Sequence, residues 1–395
     1  MKTKKKRRLN IDVIKAFAIV SVILLHTFDG FLLLGFGAPF HIWQAVPIFM
    51  ILQGFNNGGS YKRRDYTETK DFADQDFIVN KSQRLLFPFI IFFIVQTVFL
   101  YFDTPDYFAS ENHLLRLFTG GRGPGSYFVP LTIQAQLIVP FMFLAARKSV
   151  SKMLIGSFLV NLLLEVYSLA TNMDEELYRI LIIRFIFALA LGVALSMWGF
   201  EKFKTKPFYI ASFVSLIYII GVMYFNWNFI MEKSWHSQHI PGFIYPLFLI
   251  IYVNGLEMDE ENKLLQKTAE IGKASYHIFL TQLLYFWKPI QDLHLNYNPV
   301  IGVLLNIFVP LILGSLFYKL EQKMFHRIQS HPRTYQNDLV RLVLRHTPVG
   351  RFHEMPPKNH YGVSCLVWSW HSLAFPSQPP YLWYKVCPYR EPREH

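Results

Sequence analysis

A lysine and a histidine lie eleven residues apart inside one nearly unbroken apolar run, Val13-Ile14-Lys15-Ala16-Phe17-Ala18-Ile19-Val20-Ser21-Val22-Ile23-Leu24-Leu25-His26. Eleven residues make about three turns of α-helix, so Lys15 and His26 share one face about 16 Å apart along its axis. Asp12 falls near the same face, three residues before Lys15, where an ion pair forms easily. Ionisable groups are costly within a membrane helix, so a stripe of three calls for a polar interior or a reaction. A neutral imidazole accepts a proton from a hydroxyl, which makes His26 a candidate general base; its alternative use is a helix–helix hydrogen bond. Lys15 can hold a phosphate or the carbonyl oxygen of an activated acyl group, or it can snorkel to the interface.

Other polar side chains are expected at comparable depth: Gln134 and Gln136 on a fourth span, Glu165 on a fifth, Arg184 on a sixth and Gln282 on a ninth. Glu165 and Arg184 flank one short loop, so they are expected to pair, either to fix packing or to serve the site. Pro47, Pro130 and Pro140 free backbone groups that lipid cannot satisfy, which turns the first, second and fourth spans toward protein or a wet cavity. The run Gly120-Gly121-Arg122-Gly123-Pro124-Gly125-Ser126 resembles a phosphate loop in composition only, lacking the Lys-Ser/Thr ending and a preceding strand. A flexible turn is expected there, and a solvated loop over 57–83.

The elements that must position these residues are helices in a bilayer. Hydrophobic residues make up 52% of 395 and charged residues only 17%, well below the quarter or so typical of soluble domains. Apolar segments at 11–29, 42–56, 84–102, 127–146, 153–170, 178–199, 207–225, 241–256, 274–290 and 299–318 predict an all-α, polytopic integral membrane protein of about ten transmembrane helices. The net charge of +12 is unevenly spread: alternate connections starting with the N-terminus carry 24 Lys and Arg, the others 4. That asymmetry predicts a multi-pass protein of the cell membrane with a cytoplasmic N-terminus and explains Lys4-Lys5-Lys6-Arg7-Arg8 without nucleic acid. The first apolar run lacks a small-residue cleavage site, so no cleaved leader is expected. Both cysteines, Cys365 and Cys387, fall late in the chain, and no metal-ligand spacing occurs. Domain division is expected near 328, before a Pro-, His-, Arg- and Trp-rich tail over 329–395 with no defensible periodicity. Nothing in the chain sets an oligomeric state.

Four stretches together resemble the integral-membrane acyltransferase-3 family: Asn10-Ile11-Asp12 through Lys15 to His26; Val46-Pro47-Ile48-Phe49-Met50-Ile51-Leu52-Gln53-Gly54-Phe55; Lys81-Ser82-Gln83-Arg84-Leu85-Leu86-Phe87-Pro88; and Gly272-Lys273-Ala274-Ser275-Tyr276-His277-Ile278-Phe279-Leu280. The resemblance covers about residues 8–326. It implies that His26 is catalytic with Lys15 as its basic companion beside Asp12, and that Arg84, with Lys15, helps hold an acyl donor. Tyr276, inside the fourth stretch, joins Glu165, Arg184, Gln134 and Gln282 as a candidate substrate-facing or structural polar residue. The chain departs from the family pattern in carrying Lys15 for the usual Arg, Gln53 for Ser, Gln282 where many members have His, and Gln134 near a common Glu.

The expected activity is O-acyl transfer, O-acetyl transfer above all, from cytoplasmic acyl-CoA to a hydroxyl of an extracytoplasmic sugar or cell-envelope polymer of a bacterium. Acetyl-CoA or another acyl-CoA is a co-substrate, and no permanently bound cofactor is expected. The alternative is a transporter or permease in which Asp12, Lys15, His26, Glu165 and Arg184 line an ion or proton path. The absence of an internal repeat weighs against it.

Overall fold

The computed structural model describes residues 9–73, 75–227, 236–287 and 299–330. Among them there is no strand. The longer helices are α1 (Leu9–Thr27), α2 (Ala45–Arg63), α3 (Gln75–Asp103), α4 (Phe128–Lys148), α5 (Val150–Thr171), α6 (Ile186–Trp198), α7 (Lys206–Tyr224), α8 (Ile244–Gly255), α9 (Lys263–Lys273), α10 (Ser275–Tyr285) and α11 (Pro299–Ser330). A helix occupies each of the ten predicted segments, and among the described residues six helices are long and apolar enough to cross a membrane: Leu9–Thr27, Lys81–Asp103, Phe128–Lys148, Val150–Thr171, Lys206–Tyr224 and Pro299–Phe325. The sixth predicted span is broken, because Leu181 takes an extended conformation between a short helix, Glu175–Ile180, and a 3-10 turn, Ile182–Phe185, that leads into α6.

Side-chain polarity runs opposite to that of a soluble protein. On α5, Ile155, Leu159, Leu163 and Val166 face outward, while Ser157, Asn161, Glu165 and Ser168 are buried. The same outward apolar faces recur on α3 with Ile90, Ile94 and Val98 and on α7 with Ile210, Phe213 and Val214. Such surfaces are stable only against acyl chains, and the inward polar stripe needs protein or water partners.

At the centre α6 is buried along Ala188–Leu195 and crosses α2 at close range. Small residues make the crossing: a Cβ at Gly54 would run into the Leu189 carbonyl, and one at Gly192 into the Ile51 carbonyl. Without a hydrophobic drive between helices in lipid, this close backbone approach supplies the packing attraction. It also explains why α2 continues past its apolar run, since Asn57, Gly58 and Tyr61 remain buried.

The end of the bundle where α1 begins is termed the near face and the opposite end the far face. The chain divides into two compact units, Met1–Glu321 and Gln322–His395, of which the second contributes only the end of α11 to the described residues. The basic run 4–8, both cysteines and almost all of the predicted tail lie outside the described residues.

Candidate active site

Lys15 and His26 stand on one continuous helix, so the three-turn separation read from the sequence holds. Lys15 Nζ lies 3.4 Å from Asp12 Oδ1, with the Asp12 side chain 2% exposed and that of Lys15 19%. Asp12 is pinned by the fourth family-like stretch: a Cβ at Gly272 of α9 would collide with the Asp12 carbonyl oxygen. The glycine therefore lets α9 close on α1 directly beneath Lys15. Asn10 anchors the same end, its Nδ2 donating to the carbonyls of Val253 and Leu256 at 3.0 Å each and so capping α8.

His26 occupies the last turn of α1 at the far face, partly buried. Its ring lies 5.7 Å from that of Phe286, and among the described residues the imidazole makes no hydrogen bond to protein. The Gly-rich segment closes over it, since a Cβ at Gly125 would stand 3.9 Å from His26 Nε2, 3.8 Å from Phe279 and 3.9 Å from Leu283.

That segment forms turns, as expected, and packs against two helices. Gly123 has φ +105°, and a Cβ there would run into the Leu283 carbonyl, so only glycine allows this seat against α10. Gln96 on α3 holds both backbone groups of Arg122: its Nε2 donates to the Arg122 carbonyl at 2.8 Å, and the Arg122 N–H donates to its Oε1 at 3.0 Å. The Arg122 side chain is buried, paired with Glu111 and lying 5.7 Å over the Phe93 ring and 5.8 Å over that of Trp287. Glu111 also accepts from Arg116 Nε at 2.9 Å. Burial alone would raise the Glu111 carboxyl, but the hydrogen bond and charge of Arg122, with Arg116, hold it below the usual carboxylate range. Sequence reading missed this because compositional flexibility said nothing about a glutamine 26 residues away that satisfies the bent backbone.

Glu165 and Arg184 do not form the direct pair expected. The Tyr178 hydroxyl donates to Glu165 Oε1 at 2.8 Å, and His239 Nδ1 lies 3.2 Å from that oxygen. Arg184 instead lies 5.0 Å over the Tyr178 ring, and all four side chains are fully buried. The broken helix explains the shift, because Arg184 falls in the 3-10 turn while Tyr178 precedes the break. His239 could not be chosen from the sequence because it sits in a connection, and Tyr178, at the first position of the sixth predicted segment, belongs to a separate short helix.

Gln134 is a backbone clamp across that same break. Its Nε2 donates to the Ile180 carbonyl at 2.7 Å, and its Oε1 accepts from the Ile182 N–H at 3.1 Å. Tyr276 likewise ties helices, its hydroxyl donating to the Leu85 carbonyl at 3.1 Å, which joins the fourth family-like stretch to the third. Gln53 ties the second stretch to α4 by donating to the Thr132 carbonyl at 2.9 Å. Gln282 is fully buried on α10, and His277, earlier on the same helix, lies 2.7 Å from Glu321 of α11.

At the near face Arg84 is exposed, whereas Lys81, one turn earlier on α3, turns inward. Its Nζ donates to Asn57 Oδ1 at 2.9 Å, the Tyr61 hydroxyl at 2.8 Å and Gln136 Oε1 at 2.8 Å. The segment 57–83, expected as a solvated loop, folds back here in part: Tyr66 stacks on Tyr61 with centroids 6.0 Å apart, and Phe72 packs edge-on against both. The arrangement thus offers cations at one face, an imidazole at the other and a lysine between. Among the described residues no three of His, Cys, Asp and Glu gather as metal ligands.

A family model described as an acyltransferase domain, the acyltransferase-3 model, matches residues 8–319. No curated protein matches the chain. No solved structure does either.

Proposed function

Because the chain belongs to the acyltransferase-3 family and is therefore an acyltransferase, we propose that it moves an acyl group along α1 from acyl-CoA at the near face to a hydroxyl at the far face. The single observation that carries this reading is His26, with both ring nitrogens unengaged at the far end of the helix that holds Lys15 three turns away. With a cytoplasmic N-terminus, as the charge asymmetry favours, the near face meets cytoplasmic acyl-CoA and the far face meets an extracytoplasmic acceptor. The ten helical segments then form ten passages through the cell membrane, with broken or short helices completed by their neighbours.

The acceptor is a sugar or envelope-polymer hydroxyl, and the acyl group is acetyl. Arg84 and Lys81 draw the donor phosphates, Lys81 being the better held of the two. Lys15 polarises the thioester carbonyl as it passes. His26 takes the proton from the acceptor hydroxyl, whose oxygen bonds to the carbonyl carbon; the C–S bond breaks and the thiolate recovers the proton. A covalent route, in which His26 carries the acyl group before the hydroxyl takes it, uses the same groups. Lys15 supplies the charge of the usual arginine without its bidentate fork, which suits one carbonyl oxygen better than a phosphate.

Inverted membrane vesicles test the proposal. Radiolabelled acetyl-CoA added outside should label a luminal polymer, and His26→Ala should lower the rate at least ~100-fold with the protein still present. Luminal appearance of a solute without acylation, unaffected by His26→Ala, would establish the permease alternative.

A further inference from the structure

Gln282 is the feature of this wall that the reading above does not use. It is fully buried on α10, and among the described residues neither its Nε2 nor its Oε1 has a hydrogen-bond partner. Most buried amides in this bundle do structural work, as Gln96 and Gln134 do at bent backbone. An amide left unpaired costs about 1–3 kcal/mol per group, so its retention points to a ligand that satisfies it.

Its position indicates which ligand. On a helical wheel Gln282 lies within about a sixth of a turn of Phe279 and Phe286 on one side and of Ile278 and Tyr285, which pack against α11, on the other. Phe286 is the ring beside His26, and Phe279 with Leu283 faces the Gly125 position that also faces His26 Nε2. Gln282 precedes Phe286 by four residues, about 6 Å nearer the near face. It therefore stands on the side from which an acyl group travelling along α1 reaches the imidazole. The walls there are apolar, with Val22, Ile23, Phe279 and Leu283 all buried, so an amide is the polar group suited to an uncharged carbonyl.

We propose that the Gln282 carboxamide binds the carbonyl oxygen of the acyl group during transfer, its N–H donating to the oxygen on which negative charge builds. As the acceptor oxygen, or a His26 nitrogen, bonds to the carbonyl carbon, the π pair moves onto that oxygen and Gln282 stabilises it. When the pair returns, the C–S bond breaks and the thiolate leaves. Such a donor in a water-poor site commonly contributes ~100- to 1,000-fold in rate. This role rests on the reading of His26 given above.

The test uses the full chain in vesicles with radiolabelled acetyl-CoA and the cell's own polymer. Gln282→Met, which keeps length but not the donors, should lower kcat ~100-fold or more while KM for acetyl-CoA stays within about threefold. Gln282→Leu, which keeps much of the bulk but has no donor, should do the same and serves if the methionine variant is not recovered folded. Gln282→His, which keeps a ring N–H, should retain activity within about tenfold of wild type. A Gln282→Met protein of full kcat and raised thermal stability, beside an inactive His26→Ala, overturns the proposal alone, because it marks the amide as packing. Wild type unable to transfer from acetyl-CoA overturns this role and the His26 reading together.

Discussion

At the residue scale, the stripe on α1 combines one largely buried cation, one fully buried carboxylate and one partly buried imidazole, and each responds differently to substitution. Lys15→Met removes the cation from beside the buried Asp12 carboxylate, which should destabilise the protein by about 3–5 kcal/mol. Asp12→Asn with Lys15→Met should restore much of the stability but not the activity, as read by thermal unfolding in detergent and by the vesicle assay. Glu111, outside the spans, gives a pH test. Its carboxyl is held low in the folded protein, so its contribution is complete above the unfolded carboxylate value of ~4.3 and fades as pH falls from there through the folded value. Thermal scans from pH 6 to pH 3 should show acid loss of stability in wild type and a flatter profile in Glu111→Gln.

At the scale of elements, side-chain amides hold two of the places where, among the described residues, backbone leaves the helix inside the bundle. Gln134 bridges Ile180 and Ile182, and Gln96 bridges the two backbone groups of Arg122. Leucine at 134 leaves a carbonyl and an N–H unpaired where water is scarce, so Gln134→Leu should cost about 2–6 kcal/mol, read as a lowered unfolding temperature with His26 chemistry lost in parallel. The sequence made α1 legible because a charged stripe in an apolar run has few explanations. It also placed a helix in every apolar segment. The break at Leu181 and the seat of the Gly-rich segment were not legible, since each depends on an amide 46 or 26 residues distant whose geometry no local pattern encodes. Glu165 and Arg184 are both buried, as expected, but the direct contacts of Glu165 are to Tyr178, in the short helix before the break, and to His239, in a connection.

For the whole molecule, the far face gathers His26, the Gly-rich segment and the Glu165 cluster, while the near face gathers Lys15, Lys81 and Arg84. Two single cysteines should report this division. Cysteine at Asn112 should react with an impermeant thiol reagent from outside intact cells, and cysteine at Glu260 only in inverted vesicles, once Cys365 and Cys387 are replaced. The family match ends at 319 and the last described helix at Ser330, so a chain stopped after 330 should keep transferase activity within about twofold.

The Asp12–Lys15 contact has a further consequence for what can travel along α1. A lysine set beside a carboxylate offers less to a diphosphate than a lone cation would, and still orients a dipole such as a thioester. On the proposed reaction, the bulk of a coenzyme would be sorted from its cargo at the first turn and a half of α1, the nucleotide staying among the outer cations and only its uncharged tip entering.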